Sequence, residues 1–323
     1  MFERLKSSAV EAAAERIAPH VKRTRLIRSA GLSQLAGGDV WLKLENEQIT
    51  GSFKARGALN ALSLLTPAQQ KKGVVASSAG NHGMGVATAA KTLGINAKIY
   101  VPSTAPEVKK SGIRALGAEL DDGQPDYDAA MDAAKAFGKK TRREFINPCL
   151  GDDLLAGQGT VALEIVQDQP GIKSIVVNVG GGGLLGGCAS WLRDKRPDVY
   201  IYGSQSVNTA AMARSLAEGE VVPIPSVATL ADGLAGLIDE DAYDIGMHSL
   251  DRIVTLEESE IADAIRWLWK NHQLKVEGAG ACGAGALLSG KLKPETPTAI
   301  VISGGNIDDA RWRDIVGDVQ RET

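Results

Sequence analysis

Apolar and polar residues alternate with two different periods along this chain. These periods predict that strands and helices alternate in the fold. Residues 7–17 place an alanine-rich apolar face at helical spacing, whereas residues 40–44 alternate as in a strand with one buried face. Residues 174–179 and 298–302 are almost wholly apolar, which is typical of parallel strands buried on both faces. We therefore expect an α/β protein with mainly parallel sheets.

Short strands and helices alternate regularly in the second quarter of the chain, which predicts one compact parallel-sheet unit. The predicted strands there are residues 73–77, 97–102, 118–120 and 143–146, and the helices between them are residues 81–93, 106–116 and 127–137. Further strands are predicted at residues 200–203 and 253–256, and further helices at residues 152–166, 210–218, 257–271 and 283–288.

Length, charge and cysteine content narrow the class of protein. The 323 residues suffice for two domains, and 44% apolar with 23% charged residues is ordinary globular composition. A net charge of −3 without a basic block argues against nucleic acid, and the apolar stretches are too short for a membrane span or signal sequence. A cytoplasmic location is expected. Cys149, Cys188 and Cys282 lack metal-binding or disulfide spacing and are expected to be reduced.

One lysine stands at an unusual place, just after a predicted strand and loop. Thr50 and Ser52 flank Gly51 and predict a helix N-cap, so a helix begins near Phe53 and Lys54 falls on its first turn. The positive end of the helix dipole disfavours a second positive charge there, which suits a nucleophile or Schiff-base former. A lone lysine is more often a solvated surface residue, so the other motifs decide its role.

A run of four glycines, Gly180–Gly183, separates a buried strand from a helix. Backbone N–H groups there can converge on an anion, and the helix dipole adds to the attraction, so a phosphate site is favoured over a plain tight turn. The run lacks the dinucleotide pattern with its acidic partner, and no Walker-type lysine follows it.

Two polar loops also follow predicted strands. Ser78 and Asn81 precede or begin a helix and could hold a substrate carboxylate, although a plain N-cap is the alternative and His82 alone is more often structural. Ser303 follows the last buried strand, at the sheet edge where ligands bind in open α/β sheets. A lysine, a phosphate cradle and polar strand ends together suggest pyridoxal phosphate, which needs all three.

Five motifs carry a family resemblance over nearly the whole chain: residues 51–58 (GSFKARGA), 78–82 (SAGNH), 156–160 (AGQGT), 180–183 (GGGG) and 303–306 (SGGN). They resemble the fold-type II pyridoxal-phosphate enzymes, within them the serine/threonine dehydratases and serine racemases. The resemblance implies two open, twisted, mainly parallel-sheet domains like tryptophan synthase β, with the cofactor between them. The large domain would comprise residues 1–65 plus 146–323, and the small domain residues 66–145. A homodimer is also implied.

The resemblance also implies a role for each site residue. Lys54 would be the only catalytic residue, as the Schiff-base lysine, and Phe53 would pack beside the cofactor ring. The remaining cofactor contacts would be Asn81 at the ring hydroxyl, Gly180, Gly181, Gly182, Gly183 and Leu184 around the phosphate, and Ser303 at the pyridine nitrogen. Ser78, Asn81 and His82, partly through backbone N–H groups, would hold the substrate carboxylate. Asp232 would lie near the β-substituent, although a turn aspartate is an equal alternative.

Three departures from the family pattern are informative. Ala79 stands where serine racemases have a second serine, as in threonine dehydratases, so racemisation should be weak. Gln205 and Ala211 stand where metal-dependent members carry Glu and Asp, so no divalent cation is expected there. The regulatory domain of biosynthetic threonine dehydratases is also not expected.

The predicted function is a pyridoxal-phosphate-dependent ammonia-lyase that converts a β-hydroxy L-amino acid to a 2-oxo acid and ammonia. The main alternative is a serine- or aspartate-type racemase on the same scaffold. A silent binding protein and a β-replacement synthase are further alternatives; intact Lys54 and glycine motifs disfavour the first, and Gln48-Ile49-Thr50 in place of Asn-Pro disfavours the second. Threonine, serine, 3-hydroxyaspartate and a product of compatible-solute breakdown all stay open as substrates.

Overall fold

The computed structural model describes residues 5–225 and 227–317, which form two β-sheets with helices packed around them. The larger sheet has the strand order β1-β2-β10-β7-β8-β9, and the smaller has the order β5-β4-β3-β6. Every neighbouring pair is parallel except β1 and β2. The strands are β1 Leu26–Arg28, β2 Val40–Lys43, β3 Val74–Ser77, β4 Ala97–Pro102, β5 Glu119–Gln124, β6 Glu144–Phe145, β7 Ser174–Asn178, β8 Tyr200–Ser206, β9 Arg252–Leu256 and β10 Thr298–Val301. The predicted α/β fold with two mainly parallel sheets is confirmed.

Helices connect the strands and cover the sheets. They are α1 Ser7–Ile17, α2 Ala30–Ala36, α3 Lys54–Ser63, α4 Pro67–Lys72, α5 Asn81–Leu93, α6 Glu107–Ala115, α7 Tyr127–Thr141, α8 Asp152–Asp168, α9 Gly183–Lys195, α10 Ala211–Glu218, α11 Glu240–Ser249, α12 Glu258–His272, α13 Gly278–Leu288 and α14 Asp309–Val316. Among the described residues, no helix is both long and apolar enough to cross a membrane.

The central strands β7 and β10 are buried at every position, as their apolar sequences predict. Val176 and Ile300 pack into a core cluster with α12 and α13, whereas the next residues, Val177 and Val301, pack into a second cluster with α8 and α9. Successive side chains of a strand point to opposite faces, so each strand contributes to both cores. Helices therefore cover both faces of the large sheet at these strands, and a site can form where the strands end.

Helix α3 lies at the junction of the two sheets. Its residues Ala58, Leu59 and Leu62 pack in one core cluster with Val74 of β3 and Val86 of α5. It also packs against α8, beside the large sheet. Lys54, the first residue of α3, is therefore placed where the two domains meet.

Several element boundaries differ from the sequence prediction for identifiable reasons. The predicted side-chain N-cap of α3 is wrong: Phe53 occupies that position in helical conformation, and Thr50 Oγ1 instead donates to the backbone oxygen of Ser52 at 3.2 Å. The helices α4, α11 and α14 were not predicted; α4 buries none of its residues and α14 buries only Val316, so neither has the wide apolar face on which the prediction depends. Helix α13 begins at Gly278 instead of 283, since its small buried residues show no polar face. The domain bounds stay a prediction.

Candidate active site

One cavity of about 780 Å³ opens where the loops after β3, β7 and β10 meet. All the residues that the sequence singled out for cofactor or substrate line this cavity: Phe53, Lys54, Ser78, Asn81, His82, Gly180, Gly181, Gly182, Gly183, Leu184, Asp232 and Ser303. The carboxyl ends of parallel strands share one edge of a sheet, which explains why motifs far apart in sequence converge here.

Lys54 lies on the cavity wall with its amine held by the backbone. Its Nζ donates to the carbonyl oxygen of Pro148 at 2.6 Å and lies 5.3 Å from the centre of the Phe53 ring. The backbone N–H of Phe53 donates to the carbonyl oxygen of Ser303 at 3.1 Å, so the lysine loop is tied to the loop after β10. Among the described residues the amine forms no ion pair with a carboxylate, and its hydrogen bond goes to a backbone carbonyl oxygen.

The glycine run forms a tightly packed turn at the N-terminus of α9. Gly182 has φ +87°, a left-handed conformation that favours glycine. A Cβ at Gly181 would lie 2.6 Å from Cys149 Sγ, and one at Gly183 would lie 3.0 Å from the Cys149 oxygen. Side chains are thus excluded on this side, while the run lines the cavity and the first N–H groups of α9 lack helical partners. This arrangement fits a phosphate group.

Ser303 presents a neutral hydroxyl to the cavity. It is 4% exposed, and its Oγ accepts a hydrogen bond from Asn178 Nδ2 at 3.2 Å. The Asn178 amide is fixed in turn, because its Oδ1 accepts from Ser204 Oγ at 3.0 Å and from the Gly283 N–H at 2.7 Å. With its oxygen already accepting, the Ser303 hydroxyl has its own proton to donate, which fits an acceptor such as a pyridine nitrogen.

The N-terminus of α5 faces the same cavity. The N–H of Met84 is the first to bond within the helix, to the Gly80 oxygen, so the N–H groups of residues 81–83 have no helical partner. Ser78 Oγ accepts from the Gly80 N–H at 3.1 Å. These donors at the positive end of a 13-residue helix suit a carboxylate.

His82 is buried in the cavity wall. Its Nε2 lies 2.9 Å from the carbonyl oxygen of Ile146 and must therefore donate to it. Burial, together with the positive charge of Lys54, lowers the pKa of His82 to about 3. The imidazole is neutral near pH 7 and does not act there as an acid.

Asn81 is part of a polar chain that the sequence did not reveal. Its Nδ2 donates to Glu277 Oε1 at 2.7 Å, and its Oδ1 accepts from Asn306 Nδ2 at 2.7 Å. Glu277 is buried, and burial together with Asp232 raises its pKa to about 7. Asn306 belongs to a motif that the sequence marked, but Glu277 precedes a run of small residues and has no spacing signal.

Asp232 is half exposed at the cavity, whereas Gln205 and Ala211, at the family's metal position, are buried. Half of the Asp232 side chain, 49%, is exposed, and its carboxylate lies 3.5 Å from Lys109 Nζ. The buried amide of Gln205 donates to the Thr209 oxygen at 3.3 Å and accepts from the Ala213 N–H at 2.9 Å. The described residues contain no group of three His, Cys, Asp or Glu side chains placed to bind a metal.

The two parallel-sheet domains, a lysine on a helix's first turn and a glycine-lined anion cradle define the class of fold-type II pyridoxal-phosphate enzymes. The chain belongs to the family of pyridoxal-phosphate dependent enzymes, whose pattern matches residues 17–304. The predicted family and cofactor are thereby confirmed.

Named relatives and solved structures are similar over most of the chain. An L-threonine ammonia-lyase of Thermotoga maritima is 42% identical over 289 residues, 89% of this chain and 72% of the relative. A catabolic L-threonine dehydratase of Staphylococcus aureus is 37% identical over 95% of this chain and 90% of the relative. The structure of maize serine racemase superposes with a TM-score of 0.92 at 31% identity and covers 97% of both chains.

Proposed function

We propose that this enzyme is an ammonia-lyase of the threonine or serine dehydratase type. It would convert a β-hydroxy L-amino acid to a 2-oxo acid and ammonia by α,β-elimination. The observation that carries the proposal is the pairing of Lys54 and Ala79 in one cavity: a reactive amine, and a methyl group where a second acid–base residue would be needed for racemisation. The names of the two relatives reported above support the same reaction.

The chain's own residues would divide the work of binding and proton transfer. The cofactor supplies an electron-withdrawing ring that stabilises negative charge at the substrate Cα. The N–H groups of residues 81–83 and the Ser78 hydroxyl orient the substrate carboxylate, as the free N-terminus of α5 favours. Lys54 Nζ, close to the positive end of α3, removes the Cα proton. We assign the cofactor phosphate to Gly180–Gly183 with Leu184, and the face of its ring to Phe53.

Ser303 would bias the reaction toward elimination. A hydroxyl donates a hydrogen bond to the pyridine nitrogen without giving up its proton, whereas a carboxylate would keep that nitrogen protonated. Negative charge at the substrate Cα would then be stabilised less well. Rapid loss of the β-hydroxyl would therefore be favoured over slower competing reactions at Cα. Asp232 lines the cavity with half of its side chain exposed, and we propose that it would lie near the β-substituent.

A panel of β-hydroxy amino acids tests the reaction and narrows the substrate. L-threonine, L-serine and 3-hydroxyaspartate are incubated with the holoenzyme, and ammonia, 2-oxo acid and opposite enantiomer are quantified. Lys54→Ala is expected to abolish product and the visible absorbance of the bound cofactor. Lys91→Ala, an exposed lysine on α5, is the matched control and should retain both. Turnover by Lys54→Ala, or an excess of enantiomer over 2-oxo acid in the native enzyme, would overturn the proposal.

Racemisation is the second candidate, favoured by the superposition with maize serine racemase. We also infer a cytoplasmic homodimer, and domains comprising residues 1–65 plus 146–323 and residues 66–145. The end of the last small-sheet strand at Phe145 supports these bounds. We infer no cation at Gln205 and Ala211, since the Gln205 amide is taken up by backbone groups.

A further inference from the structure

Glu277 is a buried acid on the cavity wall with no role assigned so far. It is 6% exposed and occupies the N-cap position of α13. Its Oε1 accepts from Asn81 Nδ2 at 2.7 Å, and its backbone N–H donates to the Gly304 oxygen at 3.2 Å. Burying a carboxyl costs free energy unless it is hydrogen-bonded, and the Asn81 amide supplies such a bond.

The contacts on both ends of the Asn81 amide fix its orientation. Its Oδ1 accepts from Asn306 Nδ2, which also donates to the Thr50 oxygen at 2.7 Å and so cannot be exchanged for an oxygen. Its Nδ2 faces Glu277, which offers an acceptor. An asparagine amide alone turns over at little cost, but here a flip would set oxygen against Glu277 and nitrogen against a donor. One N–H of Asn81 is left for a ligand.

The carboxyl of Glu277 is also confined sterically. A Cβ at Gly304 would lie 2.2 Å from Glu277 Oε1 and 3.2 Å from Asn81 Nδ2. The loop after β10 therefore packs directly on the contact between the two side chains. Gly304 thus closes one side of the carboxyl and leaves it against the Asn81 amide.

We propose that Glu277 is the positioning residue of this pocket, holding the Asn81 amide so that its second N–H is presented to the ring oxygen of the cofactor. The proposal rests on the assignment of Asn81 to that ring and not on which reaction the enzyme performs. It can therefore fail or hold independently of the ammonia-lyase assignment.

The charges around Glu277 give the contact a pH dependence. Burial and the nearby Asp232 raise the pKa of Glu277 to about 7, while the Asn81 contact, Lys109 and the Asn306 backbone N–H oppose the rise. Lys54 lines the same cavity, and Lys275, two residues earlier, is paired with Asp309. Above pH 7 the carboxylate would repel an anionic cofactor, so the affinity for pyridoxal phosphate should fall as the pH rises through 7.

A double-mutant cycle on cofactor affinity tests the proposal. At pH 6, where repulsion by the carboxylate is weak, pyridoxal phosphate is titrated into apoenzyme of the native protein, Glu277→Ala, Asn81→Ala and the double variant, with the visible absorbance of the bound cofactor as the signal. Each single variant should raise the Kd about tenfold, the size of one lost hydrogen bond. The double variant should also lose about tenfold instead of about a hundredfold, because residues that act as a unit are not additive.

A second variant keeps the test decisive if alanine disturbs folding. Glu277→Gln keeps the acceptor and the volume, so it should bind the cofactor within about threefold of the native Kd at pH 6 but lose the fall in affinity between pH 6 and 8. Glu257→Gln, at the exposed N-cap of α12, is the matched control and should keep the native pH profile. Additive losses in the cycle, or an unchanged pH profile in Glu277→Gln, would refute the positioning role.

Discussion

A buried cluster of four charges supports the helix that carries Lys54, and Arg56 is its centre. The Arg56 guanidinium donates to Glu45 through Nε and Nη2, both at 2.8 Å, and to Glu164 at 2.7 and 2.9 Å. Lys43 Nζ reaches Glu164 at 2.6 Å, and the side chains of Arg56, Lys43 and Glu45 are 0% exposed. Two cations and two anions balance, so removing Arg56 leaves one buried carboxylate uncompensated.

We predict that Arg56→Leu destabilises the protein by about 3–5 kcal/mol, the usual cost of breaking a buried ion pair on one side. Burial alone would raise the pKa of Glu45, but Arg56 and Lys43 hold it below its ordinary value. A depressed acid pKa contributes stability above the unfolded-state pKa and loses it as the pH falls. Without Arg56 the burial effect dominates, the Glu45 pKa rises, and the variant should gain stability relative to native as the pH falls toward 5.

Urea unfolding of the apoenzyme at pH 5.5 and 8.0, followed by circular dichroism, measures both effects. Arg23→Leu is the matched control: Arg23 is 52% exposed in its pair with Asp168, so its loss should cost no more than about 1 kcal/mol at either pH. Equal stability of Arg56→Leu and Arg23→Leu at pH 8.0 would refute the reasoning. So would a deficit in Arg56→Leu that does not shrink at pH 5.5.

Three further variants test the pocket. Ala79→Ser should raise enantiomer formation relative to 2-oxo acid at least several-fold, as measured by chiral chromatography; an unchanged ratio would contradict the one-face proposal. Gly181→Ala should weaken pyridoxal phosphate binding about tenfold or more, because its Cβ would lie 2.6 Å from Cys149 Sγ; added Cys149→Ala should restore part of the affinity, and failure to do so would argue against the steric cause. Ser303→Asp should lower kcat for 2-oxo acid release by about tenfold or more, since a carboxylate there would accept a hydrogen bond from the pyridine nitrogen and favour its protonated form; native kcat would refute the role of the neutral hydroxyl.

The sequence singled out Lys54 and the loops that line the same cavity, because glycine runs and polar residues at strand ends mark such loops. Gly180–Gly183 and the residues after β10 are turns at the ends of wholly apolar strands, and such turns converge on one sheet edge. The strand β4 and the helix α5 were predicted with their observed bounds, since a full amphipathic or apolar period identifies each of them.

The supporting contacts could not be predicted in the same way. Glu277 meets Asn81 across 196 positions of sequence, and Arg56 meets Glu164 across 108. A buried charge produces no recognisable spacing of residues in the sequence around it. Its partner can therefore be identified only in the folded structure. The predicted N-cap of α3 was wrong for a related reason. Ser52 pairs with Gly304 in an isolated antiparallel bridge, and this tertiary contact overrides the local capping preference.

Packing and hydrogen bonds hold Lys54 and the N-terminal end of α5 together. A Cβ at Gly85 would lie 3.2 Å from the carbonyl carbon and oxygen of Lys54, so α5 packs directly on the first turn of α3. The first turn of α3 is held before Lys54 by the hydrogen bond from the Phe53 N–H to the Ser303 oxygen. It is held after Lys54 by the hydrogen bonds of Arg56. Because α5 follows a strand of the small sheet, the two sheets meet through the very helices that would hold the reacting amine and the substrate carboxylate. Loss of the Arg56 cluster should therefore reduce kcat as well as stability, without changing which product is formed.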